Sequence, residues 1–342
     1  MAHFWQQAWF FTTELFKFMT LFYTVWVPGF FVAALLTLRY RRPTWEALLE
    51  SPTTMKTGIW RAIQAGVVGS VDRDTSRQAA WELLKRGRPP ATALAYLIAS
   101  RNMTIYFWAI LALSLGAEFA VGQVLGALVM IGIVALGLNC VRLKPVTAPL
   151  SGKWEGNRSV LDLATFPSWR ALLLSFGGWW AMLKFIGQEV RRFGPTLAAG
   201  IVLGGIIFAA GLEPWWIIFA DIMGPKTLAS DVINALASPA ISVVMFLSPV
   251  GNLPVIHALF KTDGLAYPGI ISFCLASAIH PRDVRGYLKT FGRRQGLMLI
   301  GLLYGAAVMG GLGSTWIYAM VGFRPDLPPV KLISKILATL GF

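Results

Sequence analysis

The chain has 342 residues, of which 56% are hydrophobic and 13% charged, against about 25% charged in an ordinary soluble domain. That composition excludes a water-soluble enzyme or binding module, and roughly eight to ten spans of about 20 residues would use the available length. The formal charge of +14, with Lys+Arg 30 against Asp+Glu 16, reports orientation in a membrane chain, so no nucleic-acid partner is expected.

The start, "MAHFWQQAWFFTTELFKF", has no basic region and no small-residue cleavage site. It reads as an aromatic interfacial segment leading into a first span over 15–38, not as a signal peptide. Two shorter pieces, 54–71 and 75–86, read as half-helices or surface helices. Apolar stretches follow at 90–117, 119–141, 171–190, 195–219, 228–249, 265–279 and 295–320, each bounded by charges or Pro/Gly punctuation. The alternation that barrel strands require is absent, and lipid forces every backbone polar group into a helix or a closed barrel. The expected fold is therefore an all-α integral membrane protein of about eight to ten transmembrane or re-entrant helices.

The division of the chain follows from the same punctuation. Residues 1–53 hold the interfacial segment and first span, 54–141 a first repeat core, 142–170 a basic cytoplasmic loop, 171–322 a second repeat, and 323–342 a tail. Basic residues gather at Arg39–Arg42, Arg73–Arg88, Arg142–Arg170 and Arg282–Arg294. Placing these clusters inside sets both termini outside and leaves Arg191 and Arg192 on the wrong side. The expected location is a bacterial inner membrane, crossed several times, with lipids as the standing partners.

Cys140 and Cys274 lie in apolar runs and read as small buried hydrophobes. The three histidines, His3, His257 and His280, have no metal-ligand spacing, so neither a metal nor a cofactor is expected. Triads, carboxylate pairs and phosphate-binding loops are equally absent, which argues against an enzyme or an ATP-driven pump.

The most informative feature is an internal repeat. "GRPPATALAYLIAS", Gly87–Ser100, lies without a gap on "GLAYPGIISFCLAS", Gly264–Ser277. The same register sets the segment around Asp72–Thr75 over Pro249–Asn252. Paired interrupted segments in two halves point to a transporter site at the bilayer midplane. In "FLSPVGNLPVIHALF", Pro249 and Pro254 bend the chain, Gly251 frees the backbone, and Ser248 and Asn252 offer polar groups to whatever fills the gap. A proline kink that serves packing alone is the competing explanation. The two turns are expected to meet at the centre of the bundle about an approximate two-fold axis in the membrane plane, which makes the repeat an inverted one. Asn252 is expected to be buried there, bonded to the broken backbone or to the first-half turn.

These residues carry a resemblance. "SPVGNLPVIHALFKTDGLAYPGIISFCLASAI", Ser248–Ile279, resembles the second signature of the predicted-permease family that includes the methylarsenite-efflux permeases, a Cys-Ser-Val-Gly-Asn-(hydrophobic)-Pro turn followed by a short helix and a Gly corner. "LLKRGRPPATALAYLIASRN", Leu83–Asn102, is similar to its first signature. The resemblance spans residues 54–314 and implies a permease fold, with Gly251, Asn252 and Pro254 as pocket or gate residues. The family's cysteines are missing: "GSVDRDTS", Gly69–Ser76, has none, and Ser248 stands in the second turn. Thiolates are the soft ligands for thiophilic species, so the arsenical substrate does not carry over.

The candidate substrate-binding residues are therefore Ser248, Gly251, Asn252 and Pro254, with Asp72, Asp74, Ser100, Arg101, Asn102 and Ser277 from the matching segments. Asp72, Arg73 and Asp74 either belong to the site or form a solvated loop. Arg101, alone in an apolar stretch, can pair with a carboxylate, bind an anionic substrate or reach an interface. His280 before Pro281 marks a helix end, Asp221 and Asp231 cap helix ends, and Glu118 reads as an exposed loop residue. Two functions stay open: a secondary permease for a small solute, or a non-transporting subunit that holds a larger membrane complex together.

Overall fold

The computed structural model describes residues 2–50, 55–69, 73–140, 164–211, 213–223 and 228–323. Among these residues every regular element is helical. The chain starts with α1 (Ala2–Glu50), which runs through Pro28 and Pro43. Next come α2 (Met55–Val67), α3 (Arg73–Lys85), α4 (Pro90–Asn102), α5 (Ile105–Leu115) and α6 (Ala117–Cys140). The second half holds α7 (Trp169–Leu173), α8 (Phe176–Ala210), α9 (Trp216–Met223), α10 (Leu228–Val244), α11 (Asn252–Lys261) and α12 (Tyr267–Leu275). A 3-10 turn (Ala276–Ile279) and α13 (Pro281–Met320) complete it. The tail, most of the basic loop and Asp72 lie outside the described residues.

By length and apolarity α6, α8 and α13 can each cross a membrane alone, and the bent pairs α4/α5 and α9/α10 add two more spans if each pair counts as one. The bend between α4 and α5 is 42°. The protein is a multi-pass membrane protein of all-α class.

Two expectations are corrected by the helix boundaries. The stretches 171–190 and 195–219 are not two spans: α8 is continuous across Arg191–Arg192 and Pro195. A proline removes one hydrogen bond and crowds the carbonyl four residues back, a local cost that does not end this 35-residue helix. Glu118 is likewise not in a loop but in the first turn of α6, where acidic side chains suit the positive helix end.

The half-helices fall where punctuation put them, and the ungapped register between the two halves extends to helix boundaries. In that register the ends of α2 and α10 coincide (Val67 with Val244), as do the starts of α4 and α12 (Pro90 with Tyr267). Asn102, the last residue of α4, meets Ile279, the last residue of the 3-10 turn. Both corners use a left-handed residue after a helix end, Gly87 (φ 74) in one half and Asp263 (φ 53) in the other. Glycine adopts that conformation freely, and aspartate tolerates it better than most residues.

Small residues let the backbones close up. A Cβ on Gly126 of α6 would stand 3.0 Å from the Gly310 carbonyl of α13, and one on Gly310 would stand 2.7 Å from that of Gly126. Such contacts drive helix association where lipid removes the hydrophobic incentive. α4 and α12 are buried along nearly their whole lengths, so the two short helices of the matching segments form the centre of the bundle.

Candidate functional site

The centre is organised by Arg101, at the last turn of α4 and fully buried. An isolated charge there would be prohibitive, and the chain satisfies every donor of its fork. Nη1 meets Asp283 Oδ2 at 2.7 Å and Nη2 meets Oδ1 at 3.2 Å. Nε donates to Ser76 Oγ at 3.0 Å, Nη1 also to the Ser277 carbonyl at 2.6 Å, and Nη2 to the Arg73 carbonyl at 3.1 Å. Asp283 sits in the first turn of α13, so the ion pair joins the first half to the second.

Asn102 and Ser277 extend this network. Asn102 Oδ1 accepts from Gln123 Nε2 of α6 at 3.0 Å and from Ser277 Oγ at 3.3 Å. Ser100 turns away and returns its hydroxyl to the Leu97 carbonyl. Asp74, partly exposed, accepts from Arg77 Nη2 at 2.6 Å. Arg77 also reaches Asp283 at 3.8 Å.

The segments that flank the two interrupted turns touch. Arg73, the first residue of α3, donates through Nη2 to the Leu247 carbonyl in the second-half turn. α8 braces the same place: Arg192 Nη1 donates to Thr75 Oγ1 at 3.1 Å, and Thr196 and Ser248 share a hydrogen bond of 2.7 Å. Ser248 Oγ also accepts from the Gly251 amide at 3.1 Å, holding the turn in place of a backbone bond. Gly251 and Gly200 of α8 are in forced proximity, since a Cβ on Gly200 would lie 1.9 Å from the Gly251 carbonyl.

Asn252 is buried as expected, but its partner differs. Nδ2 donates to Ser242 Oγ of α10 at 3.3 Å, not to the broken backbone or the first-half turn, while Oδ1 has no partner. Pro254 lies one turn into α11, packed against α8: a Cβ on Gly204 would meet the Pro254 carbonyl at 2.8 Å. Of the candidate residues, Arg101, Asn102 and Ser277 form one network, and Ser248, Gly251, Asn252 and Pro254 another, against α8 and α10. Arg73 is the described side chain that links them.

Several residues of the centre were not anticipated. Asp283 was hidden inside the basic run "RDVRGYLKTFGRR", although a lone arginine in an apolar stretch is itself a signal that a carboxylate must exist. Glu189 is also buried; it accepts from Tyr106 Oη at 3.4 Å and Arg192 Nη1 at 3.3 Å. Among the described residues no group of His, Cys, Asp and Glu could hold a metal ion.

The model of the family described as "Predicted permease" (ArsP_1) matches residues 11–313. The chain belongs to the predicted permease family. A protein of Mycobacterium tuberculosis named "Putative permease Rv2963" is 26% identical over 238 residues, which cover 67% of this chain and 58% of that relative. The chain thus spans little more than half the length of the curated relative it matches. No solved structure matches it.

Proposed function

We propose that the protein is a secondary transporter of a small solute, with its path at the junction of the two interrupted turns. The observation that carries this reading is the Arg73–Leu247 contact, which brings together two turns far apart in sequence within a chain of the permease family. Broken helices leave backbone groups that only a cavity, a neighbour or a substrate can satisfy. The coincidence of helix boundaries in the two halves supports an inverted repeat, in which one half rocks against the other. In this reading the described conformation is a closed one: Arg73, Arg192 and Thr196 span the junction and must let go for a solute to pass. Bacterial inner-membrane placement and the absence of catalytic activity belong to the same proposal.

The second reading, a subunit that holds a larger membrane complex together, draws on the same turns. They are packed hard on α8 at Gly200 and lack the family's cysteines, features that suit a frame as well as a gate.

The test is reconstitution of the full chain into liposomes, with a panel of labelled small solutes and with Asn252→Leu beside the wild type. Saturable uptake that falls at least tenfold in a variant of unchanged thermal midpoint supports transport. Flat uptake in both, together with a lower yield of an assembled complex for the variant, supports the structural subunit.

A further inference from the structure

The register that aligns the two halves continues past their short helices. It lays α5 (Ile105–Leu115) over the first limb of α13, which breaks at Gly292 (φ 75, ψ 166). α5 ends at Gly116 (φ 125, ψ 156), one position beyond Gly292 in that register. Both breaks use a backbone that glycine adopts freely and other residues rarely do. Past the breaks, α6 and the second limb of α13 run antiparallel: Gly122 lies against Tyr318, Gly126 against Gly310 and Gly137 against Leu302. Each half holds one short rod between two non-helical joints, and the antiparallel pair supports rods that leave the centre in opposite directions.

The rods are held unequally at their inner ends. Tyr106 of α5 falls on Asp283 of α13. Asp283 grips Arg101 through both oxygens, at 2.7 and 3.2 Å, and His280 caps its limb, Nδ1 accepting from the Arg282 amide at 3.2 Å. Trp81 of α3 packs on Tyr287 and Phe291 of the same limb, with ring centroids at 5.8 and 6.3 Å. In α5, Tyr106 Oη donates to Glu189 Oε2 of α8 at 3.4 Å, which is long for a hydrogen bond. Its ring rests on Phe30 and Phe193 at 6.0 and 6.4 Å. Thr104 stands at the cap position of α5, yet it makes no side-chain cap, and its hydroxyl is fully buried without a partner. Beside this turn lies a cavity of about 10 Å³, room for no more than about one water molecule, lined in part by Thr37 of α1, Val68 and Gly69 just past α2, and Ile105 and Tyr106. The outer end of α5 is tied down, with the Ser114 carbonyl 3.0 Å from His257 Nδ1 of α11.

We infer that the first turn of α5 is a gate: it pivots about Gly116, parts Tyr106 from Glu189 and widens the cavity beside the first interrupted turn, while the first limb of α13 stays latched to Arg101. The role of gate rests on the transport reading; the motion does not. A void forfeits packing contacts, and an unbonded hydroxyl gains a partner when water enters, so both lower the cost of moving this turn. Parting Tyr106 from Glu189 strands no charge, because Arg192 of the same helix stays on the carboxylate at 3.3 Å. Parting Asp283 from Arg101 would strand two. Hinge motions are absorbed by a few element-terminal residues, and α5 has such joints at Met103–Thr104 and at Gly116.

The experiment is hydrogen–deuterium exchange on the purified full chain in detergent, read by mass spectrometry. Amides 108–110 of α5 should exchange about tenfold faster or more than amides 285–287 of the α13 limb. Tyr106→Phe keeps the ring and removes the bond, so it should speed exchange in α5 by roughly a further two- to tenfold and leave the α13 limb unchanged. Equal protection of the two turns, or no change in Tyr106→Phe, overturns the gate. A lock supplies the second readout. A Cβ on Gly29 of α1 would lie 3.8 Å from Tyr106 Cβ, within the usual spacing of a disulfide. Gly29→Cys with Tyr106→Cys, in a chain carrying Cys140→Ala and Cys274→Ala, therefore pins α5 to α1 on oxidation. We expect the lock to slow exchange in α5 and to stop saturable uptake, in liposomes, of whichever labelled solute the cysteine-free chain takes up, and reductant to restore both. Uptake that continues under the lock removes the gate and leaves the transport reading. Fast, lockable exchange with no uptake of any solute keeps the motion and removes transport.

Discussion

The two interrupted stretches share helix boundaries yet differ in almost every polar detail. At the end of α4 the first half places Arg101; in the same register the second half has Ala278. The first-half turn leads into Arg73, a long cation, where the second-half turn offers prolines, a glycine and Ser248. One stretch brings charge into the bundle, and the other brings carbonyls, hydroxyls and, just beyond it, the carboxylate of Asp283. Neither half satisfies all of its polar groups alone, so the difference is complementarity across the junction. Satisfaction is also uneven: the Arg101 fork is filled, whereas Gln123 Oε1, Asn252 Oδ1, Ser238 Oγ and Ser272 Oγ stay open.

The strongest way to break this comparison is Asp283→Leu. Stranding Arg101 in the interior should cost about 3–5 kcal/mol, read as collapse of the monodisperse yield in detergent. The pair Arg101→Met with Asp283→Leu should recover part of that yield, since removing both charges removes the stranded one. A normal yield for the single variant would mean that the network does not hold the halves together.

The second stretch is tested through its backbone. Gly200→Ala drives a methyl into the Gly251 carbonyl, and overpacking of this kind costs about 1–3 kcal/mol, visible as a lowered thermal midpoint. An unchanged midpoint would show that α8 and the turn separate freely.

A finer test sets a satisfied hydroxyl against an unsatisfied one. Ser76→Ala removes the acceptor of Arg101 Nε and should cost about 1–3 kcal/mol. Ser272→Ala deletes a buried hydroxyl without a partner and should be neutral or slightly stabilising. Equal effects on the thermal midpoint would erase the contrast drawn between the two networks. The smallest effect belongs to Arg86→Ala, outside both stretches. Its exposed pair with Glu82 is worth about 0.3–0.5 kcal/mol, so neither midpoint nor flux should move appreciably.

Much of this was legible in the sequence because punctuation in a membrane chain is expensive. A proline, a glycine corner or an arginine in an apolar run has to be compensated, and the half-helices, the α4 and α12 starts and the buried Asn252 all follow from such marks. Where punctuation is cheap it misleads. Arg191, Arg192 and Pro195 look like a loop, but Arg192 answers Glu189 and Thr75, and a single proline does not end α8. Partner choice was the least legible part. Asn252 could serve any nearby acceptor, and only the path of the turn that joins α10 to α11 assigns it to Ser242. Asp283 was masked by its basic neighbours, because local composition speaks of topology and cannot say which residue reaches inward.

The Arg101–Asp283 pair also sets a timetable. The two residues are 182 positions apart, and at about 5–20 residues per second of synthesis roughly 10 to 40 s pass between them. Throughout that interval the nascent first half holds a cation with no carboxylate to receive it. The inserting machinery, water or lipid headgroups must shelter α4 until α13 emerges, and a chain released before residue 283 lacks the means to close its own centre.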